Sequence, residues 1–128
     1  MARLVIIEDE PGVLLSLKTA LTSAGHAITT ATDGVAGLAA IRDRHPDLVI
    51  LDIVLPRMNG LDVLSTVKRD ATLSDIPVIV LTNIDREEDI ERARSLGAVD
   101  YCVKSNVSID EVTKKVETHL GRASTKRS

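Results

Sequence analysis

The sequence predicts an α/β fold: five parallel strands sandwiched between five helices. Three observations point to it. Short aliphatic runs alternate along all 128 residues with segments whose apolar residues recur at helical spacing. RLVII (3–7), LVIL (48–51) and VIVL (78–81) are continuously aliphatic, as strands buried on both faces are. Glycine and proline fall between the runs, at Gly25, Pro46, Gly60, Pro77 and Gly97.

RLVII is the first strand. Leu14, Leu17, Leu21 and Ala24 then follow a helical period, and Gly25 suits the position past that helix's end. AITTA (27–31) is a half-polar strand. Asp33-Gly34 opens a helix carrying Leu38 and Ile41, which stops before Pro46. LVIL is the third strand, and Pro56 and Gly60 punctuate the loop after it. Leu61, Leu64 and Val67 form the stripe of the third helix, and Pro77 precedes the strand VIVL. Asp85 with Glu88 matches a capping box for the fourth helix, which Gly97 would end. YCV (101–103) is the last strand. Ser108 with Glu111 is a second capping box, opening a helix with Val112, Val116 and Leu120 on one face. The domain is expected to span 1–121, leaving RASTKRS (122–128) as a flexible polar tail or linker stub. Half-polar strand two and short strand five suit edges. Right-handed crossovers then give strand order 2-1-3-4-5, the flavodoxin-like arrangement.

Composition narrows the function. The core must be aliphatic, because the chain has no Trp or Phe and one Tyr. A net charge of −3 points to neither nucleic acid nor an anionic membrane as a direct partner. Cys102 is the single cysteine, so no intrachain disulfide can form; its strand-like surroundings suit a small buried hydrophobe. No apolar stretch is long enough to span a bilayer, and Met1 runs straight into a strand, so a cytoplasmic protein is expected. His26, His45 and His119 are scattered and suggest no metal site.

The informative residues follow the strands. Glu8, Asp9 and Glu10 come after the first, Asp52 ends the third, Thr82 follows the fourth and Lys104 the fifth. In a doubly wound sheet these carboxyl ends form the binding crevice. Clustered carboxylates repel unless a cation joins them, and oxygen-only ligands suit Mg²⁺ or Mn²⁺. An acceptor carboxylate, a divalent ion, a lysine and a hydroxyl donor are the parts needed to receive a phosphoryl group. Asp52 is then the nucleophile, forming an aspartyl phosphate. Each residue also has a plainer explanation: Asp9 or Glu10 as a helix cap, Thr82 as a strand end, Lys104 as a solvated charge. Their convergence at four strand ends favours the functional one.

VIIEDEP (5–11), LVILDIVLPRMNGLDVL (48–64), PVIVLT (77–82) and GAVDYCVK (97–104) together resemble a two-component response-regulator receiver domain, from about Arg3 to Leu120. The resemblance implies that Asp52 is the phosphoacceptor. It implies that Asp9 binds Mg²⁺ directly, Glu8 through water, and Val54 through its backbone carbonyl. Thr82 and Lys104 would hold the phosphoryl group, and Tyr101 would turn inward as Thr82 moves. Phosphate would come from a histidine kinase or phosphotransfer protein, the output face would be helix four, strand five and helix five, and a homodimer is compatible with the family. Such a protein catalyses only its own phosphorylation and dephosphorylation.

This chain departs from the family in having Ser105 where a proline usually follows the lysine, through a bond that is typically cis. A cis bond before a non-proline residue costs about 2.5–4 kcal/mol, so Lys104–Ser105 is either trans or strained. Asn83 replaces a commonly small residue. Val54 and Ile84 occupy the positions that tune phosphoryl lifetime, and neither can orient a water, which implies slow dephosphorylation. Alternatives are a partner-binding scaffold not controlled by phosphorylation, a phosphohydrolase and a flavodoxin-like module. A hydrolase would want an acid at position 54, which is Val54; a flavodoxin would want a phosphate cradle where EDEPG stands.

Overall fold

A computed structural model describes residues 2–127 of the chain, and side chains for residues 2–121. In order the elements are β1 (Arg3–Ile7), α1 (Pro11–Ser23), β2 (Ala27–Ala31), α2 (Gly34–Arg44), β3 (Leu48–Leu51), α3 (Gly60–Arg69), β4 (Val78–Thr82), α4 (Glu87–Ser95), β5 (Asp100–Val103), a 3₁₀ turn (Lys104–Asn106) and α5 (Ile109–Arg127). The expected polar tail over 122–128 lies outside the residues whose side chains are described.

All strand pairs are parallel, in the order β2-β1-β3-β4-β5 that the sequence predicts. Successive side chains point to opposite faces of a strand, and two cores result. Leu4, Ile6, Leu48, Ile50, Ile79 and Leu81 pack with Leu17 and Leu21 of α1 and Val112 and Val116 of α5. Val5, Ile7, Val49, Leu51, Val78 and Val80 pack with Leu38 and Ile41 of α2, Val63, Leu64 and Val67 of α3 and Ala93 of α4. Both faces being buried explains why the three central strands carry no polar residue within their aliphatic runs.

Helix starts follow sequence chemistry in most places. The Asp33 carboxylate accepts from the Ala36 N–H at 2.8 Å, capping α2. The Ser108–Glu111 box forms in both directions, each bond at 3.1 Å. The box expected from Asp85 and Glu88 does not form. The residue at the cap of α4 is Arg86, with no side-chain cap bond. Glu87, Glu88 and Asp89 instead place negative charge in the first turn, which the helix dipole favours, and Asp89 pairs with Arg86 at 2.8 Å. In α3 the buried stripe is Gly60, Val63, Leu64 and Val67, with Leu61 only half-buried. Asn59 caps this helix by accepting from the Asp62 N–H at 3.0 Å.

Two features place β3's end. The Asp52 N–H donates to the Ile7 carbonyl at 3.0 Å, carrying the β1–β3 ladder one residue past the strand. Gly60, opening α3, lies against the Asp52 and Ile53 backbone: a Cβ there would overlap the Asp52 carbonyl oxygen. No cis peptide occurs among the described residues, so Lys104–Ser105 is trans, and the chain leaves β5 through the 3₁₀ turn.

Candidate functional site

The carboxyl ends of β1, β3, β4 and β5 meet at one end of the sheet. Glu8 follows β1 and is 2% exposed; Asp52 follows β3 and is 4% exposed. An isolated carboxylate there would be strongly disfavoured. Lys104 answers both. Its ammonium lies 2.7 Å from Glu8 Oε1, 2.8 Å from Asp52 Oδ2 and 2.9 Å from Glu10 Oε2.

The two buried carboxylates are each held at both oxygens. Asp52 Oδ1 accepts from the Val54 N–H at 3.1 Å while Oδ2 takes Lys104. Glu8 Oε2 accepts from the Glu10 N–H at 3.0 Å while Oε1 takes Lys104. Glu10 stands at the cap position of α1, yet its side chain makes no cap bond; it reaches across to Lys104 instead. The cap explanation for Glu10 is thus replaced by an ion pair. Its other oxygen faces the Asn83 amide at 3.4 Å, linking the β1–α1 loop to the β4–α4 loop.

Burial and the neighbouring charges together set the pKa values. Burial raises the Glu8 carboxyl above its usual value, opposed by Lys104. Burial alone would lower Lys104, but hydrogen bonds to Asp52, Glu8 and Glu10 outweigh it and raise it, so it stays cationic. One lysine does not balance four neighbouring acids. Ligand oxygens of Glu8, Asp9 and Asp52 all lie within 4.8 Å of one another, with Asp9 exposed to incoming solvent. This hard, oxygen-only, negative donor set fits a small divalent cation that keeps some of its water.

Thr82 ends β4 and is fully buried; its hydroxyl accepts from the Ile84 N–H at 3.4 Å. The half-buried Tyr101 donates its phenol O–H to the Ile84 carbonyl at 2.8 Å. Thr82 and Tyr101 are therefore tied to the same residue of the β4–α4 loop. Val54, 56% exposed, follows the acceptor strand at the surface, and Ser105 is exposed in the 3₁₀ turn.

Sequence patterns single out Glu8, Asp9, Asp52, Thr82 and Lys104, and the fold brings all five to one end of the sheet. The Glu10–Lys104 pair, 94 residues apart, carries no sequence signal beyond a third acid in the loop. The same holds for His26. Its Nε2 lies 2.6 Å from Glu117, and its Nδ1 accepts from the Ala2 N–H at 3.1 Å, so it serves packing near β1's start.

Fold and site define a doubly wound domain with an acid–lysine pocket at the switch between β1 and β3. The response regulator receiver domain model matches residues 4–117, and the chain belongs to that family. The protein PilH of Pseudomonas aeruginosa is 38% identical over 113 residues, covering 88% of this chain and 91% of PilH. RpaA, a DNA-binding transcriptional regulator of Synechocystis, is 34% identical over 122 residues, covering 95% of this chain, which spans half the length of RpaA. A CheY-like receiver domain protein from Methanospirillum hungatei superposes with a TM-score of 0.92 at 25% identity, covering 98% of each chain. The phosphorylated cyanobacterial phytochrome response regulator RcpA superposes with a TM-score of 0.79 at 28% identity, covering 91% of this chain and 89% of RcpA. Receiver domains are phosphorylation-based signalling switches of two-component systems. Among the described residues no helix is long and apolar enough to cross a membrane.

Proposed function

We propose that this chain is a cytoplasmic switch operated by a phosphoryl group on Asp52. A histidine kinase or phosphotransfer protein is the donor: the P–N bond of its phosphohistidine breaks as an Asp52 oxygen forms a new P–O bond, and the electron pair stays on the imidazole. The observation that carries this reading is Lys104 Nζ, 2.8 Å from Asp52 Oδ2, beside carboxylate oxygens within 4.8 Å of one another. Glu8, Asp9, Asp52 and the Val54 carbonyl would hold Mg²⁺ or Mn²⁺, which when bound supplies positive charge for the phosphoryl oxygens. Lys104 keeps a second cation at the same place, pre-set by its carboxylate partners.

Thr82 and Tyr101 carry the signal outward. The Thr82 hydroxyl turns to a phosphoryl oxygen and gives up Ile84. Tyr101 then leaves the Ile84 carbonyl and turns inward, and the surface of α4, β5 and α5 shifts population toward a form that a downstream protein or output domain binds. Tyr101 ties this surface to the pocket from the start, through its 2.8 Å bond to Ile84.

The test is incubation with Mg²⁺ and a small phosphodonor. Wild type is labelled at one site and Asp52→Asn is not; labelling that persists in the mutant would overturn the assignment. Chasing the label checks a second expectation. Val54 and Ile84 offer no group to orient an attacking water, so the aspartyl phosphate should survive for minutes or longer, and a half-life of seconds would contradict that.

A further inference from the structure

The loop that follows Asp52 is gripped by two helix starts. From one side the Gly60 N–H, at the start of α3, donates to the Ile53 carbonyl at 2.8 Å. From the other the Gly34 N–H, at the start of α2, donates to the Pro56 carbonyl at 3.2 Å. Gly34 can come this close only because it has no side chain: a Cβ there would overlap the Met58 carbonyl oxygen. α2 is itself seated hard on β1, since Gly37 lies against the Ile7 side chain. Between the two held carbonyls stands that of Val54, which accepts no hydrogen bond among the described residues. The Pro56 carbonyl takes a second donor, the Met58 N–H at 2.8 Å, which closes a three-residue turn around Arg57. Arg57 sits at φ 71°, in the left-handed region, with its side chain exposed. A three-residue turn of this sign is rare and strained. Such strain persists only where the surroundings impose it, and here Gly34 imposes it through the shared carbonyl.

We propose that the Arg57 turn, locked by Gly34 of α2, is a positioning device for the metal: it fixes the stretch of loop that carries the Val54 carbonyl before the cation arrives. This rests on the reading of that carbonyl as a metal ligand. Mg²⁺ demands near-ideal octahedral geometry, so a ligand on a loose loop would serve it poorly. Ordering the loop in advance takes that cost out of binding. α2 lends no side chain to the pocket, yet it bears on metal affinity through one peptide group.

The test varies Arg57 by tolerance of the left-handed region, which glycine and asparagine accept and β-branched valine resists. Mg²⁺ affinity is read from the rise of each variant's unfolding midpoint with Mg²⁺ concentration, against its own metal-free value. Arg57→Gly and Arg57→Asn should bind Mg²⁺ as wild type does. Arg57→Val should bind about tenfold more weakly, the factor expected where about a tenth of the molecules keep the turn. Its labelling by acetyl phosphate should be slow at limiting Mg²⁺ and recover at saturating Mg²⁺. Gly34→Ala should show the same defect; if that variant does not fold, the Arg57 series decides. Wild-type affinity in Arg57→Val, an equal loss in Arg57→Gly, or a labelling defect that saturating Mg²⁺ leaves in place would overturn the proposal. Failure of the underlying reading is distinct: the wild type itself would gain no stability from Mg²⁺ and take no label.

Discussion

Tyr101 shows how one side chain joins the pocket to the surface. Its phenol is pushed up to about 12 from an ordinary value of 10, by burial first and then by Asp89 and Asp52. The hydroxyl thus remains a donor to the Ile84 carbonyl throughout the physiological range. Because there is no other Tyr and no Trp, tyrosinate absorbance reports this residue alone. A titration should give a midpoint near 12 in the folded chain and near 10 in denaturant. Between those values the folded state binds the proton that the unfolded state has lost. The Tyr101 contribution to stability is therefore complete below pH 10 and declines as the pH rises through about 12. A native midpoint at 10 would mean that the phenol is solvated and the Ile84 bond is absent.

At the scale of elements, the start of α3 fixes the acceptor. Gly60 lets the helix sit directly on the backbone of Asp52 and Ile53, and its own N–H donates to the Ile53 carbonyl at 2.8 Å. An added Cβ has only main chain to push against, so Gly60→Ala should cost about 1–3 kcal/mol in denaturant unfolding. It should also shift Asp52 and slow labelling by at least about tenfold, because small misplacements of a reacting group are expensive. Gly12, in the first turn of α1, faces open space: a Cβ there would meet nothing within 4 Å. Gly12→Ala should be neutral or slightly stabilising, by up to about 1 kcal/mol, and leave labelling unchanged. Equal behaviour of the two variants would remove Gly60 from the account.

The whole molecule shows which signals a sequence carries. Strand order follows from aliphatic runs and crossover handedness, because both are properties of segments. The pocket is legible for the same reason: Glu8, Asp52, Thr82 and Lys104 each sit at a strand end, and strand ends share one edge. Features that depend on a single side chain are not legible. Glu10 resembles a cap because its backbone position is that of a cap, whereas its rotamer serves Lys104. The α3 stripe reads as starting at Leu61 because Gly60 carries no apolar side chain to mark the true start, and the spacing from Leu61 skips the buried Val63. The α4 box fails because Asp85 lies one residue outside the cap that three acids in the first turn make unnecessary.

Cys102 lies in β5, buried in the same cluster as Val112 and Val116 of α5. Burial also pushes its thiol up to about 11, which suppresses the reactive thiolate. As the chain's one thiol, it can be alkylated only when the edge formed by β5 and α5 comes apart. Its modification rate is thus a clock for that opening. With reagent in excess, wild type run with and without a phosphodonor should differ in rate if the switch loosens this edge. The same rate in both would mean that this edge stays closed as the switch operates, so a residue with no part in the chemistry can time the signal as it leaves.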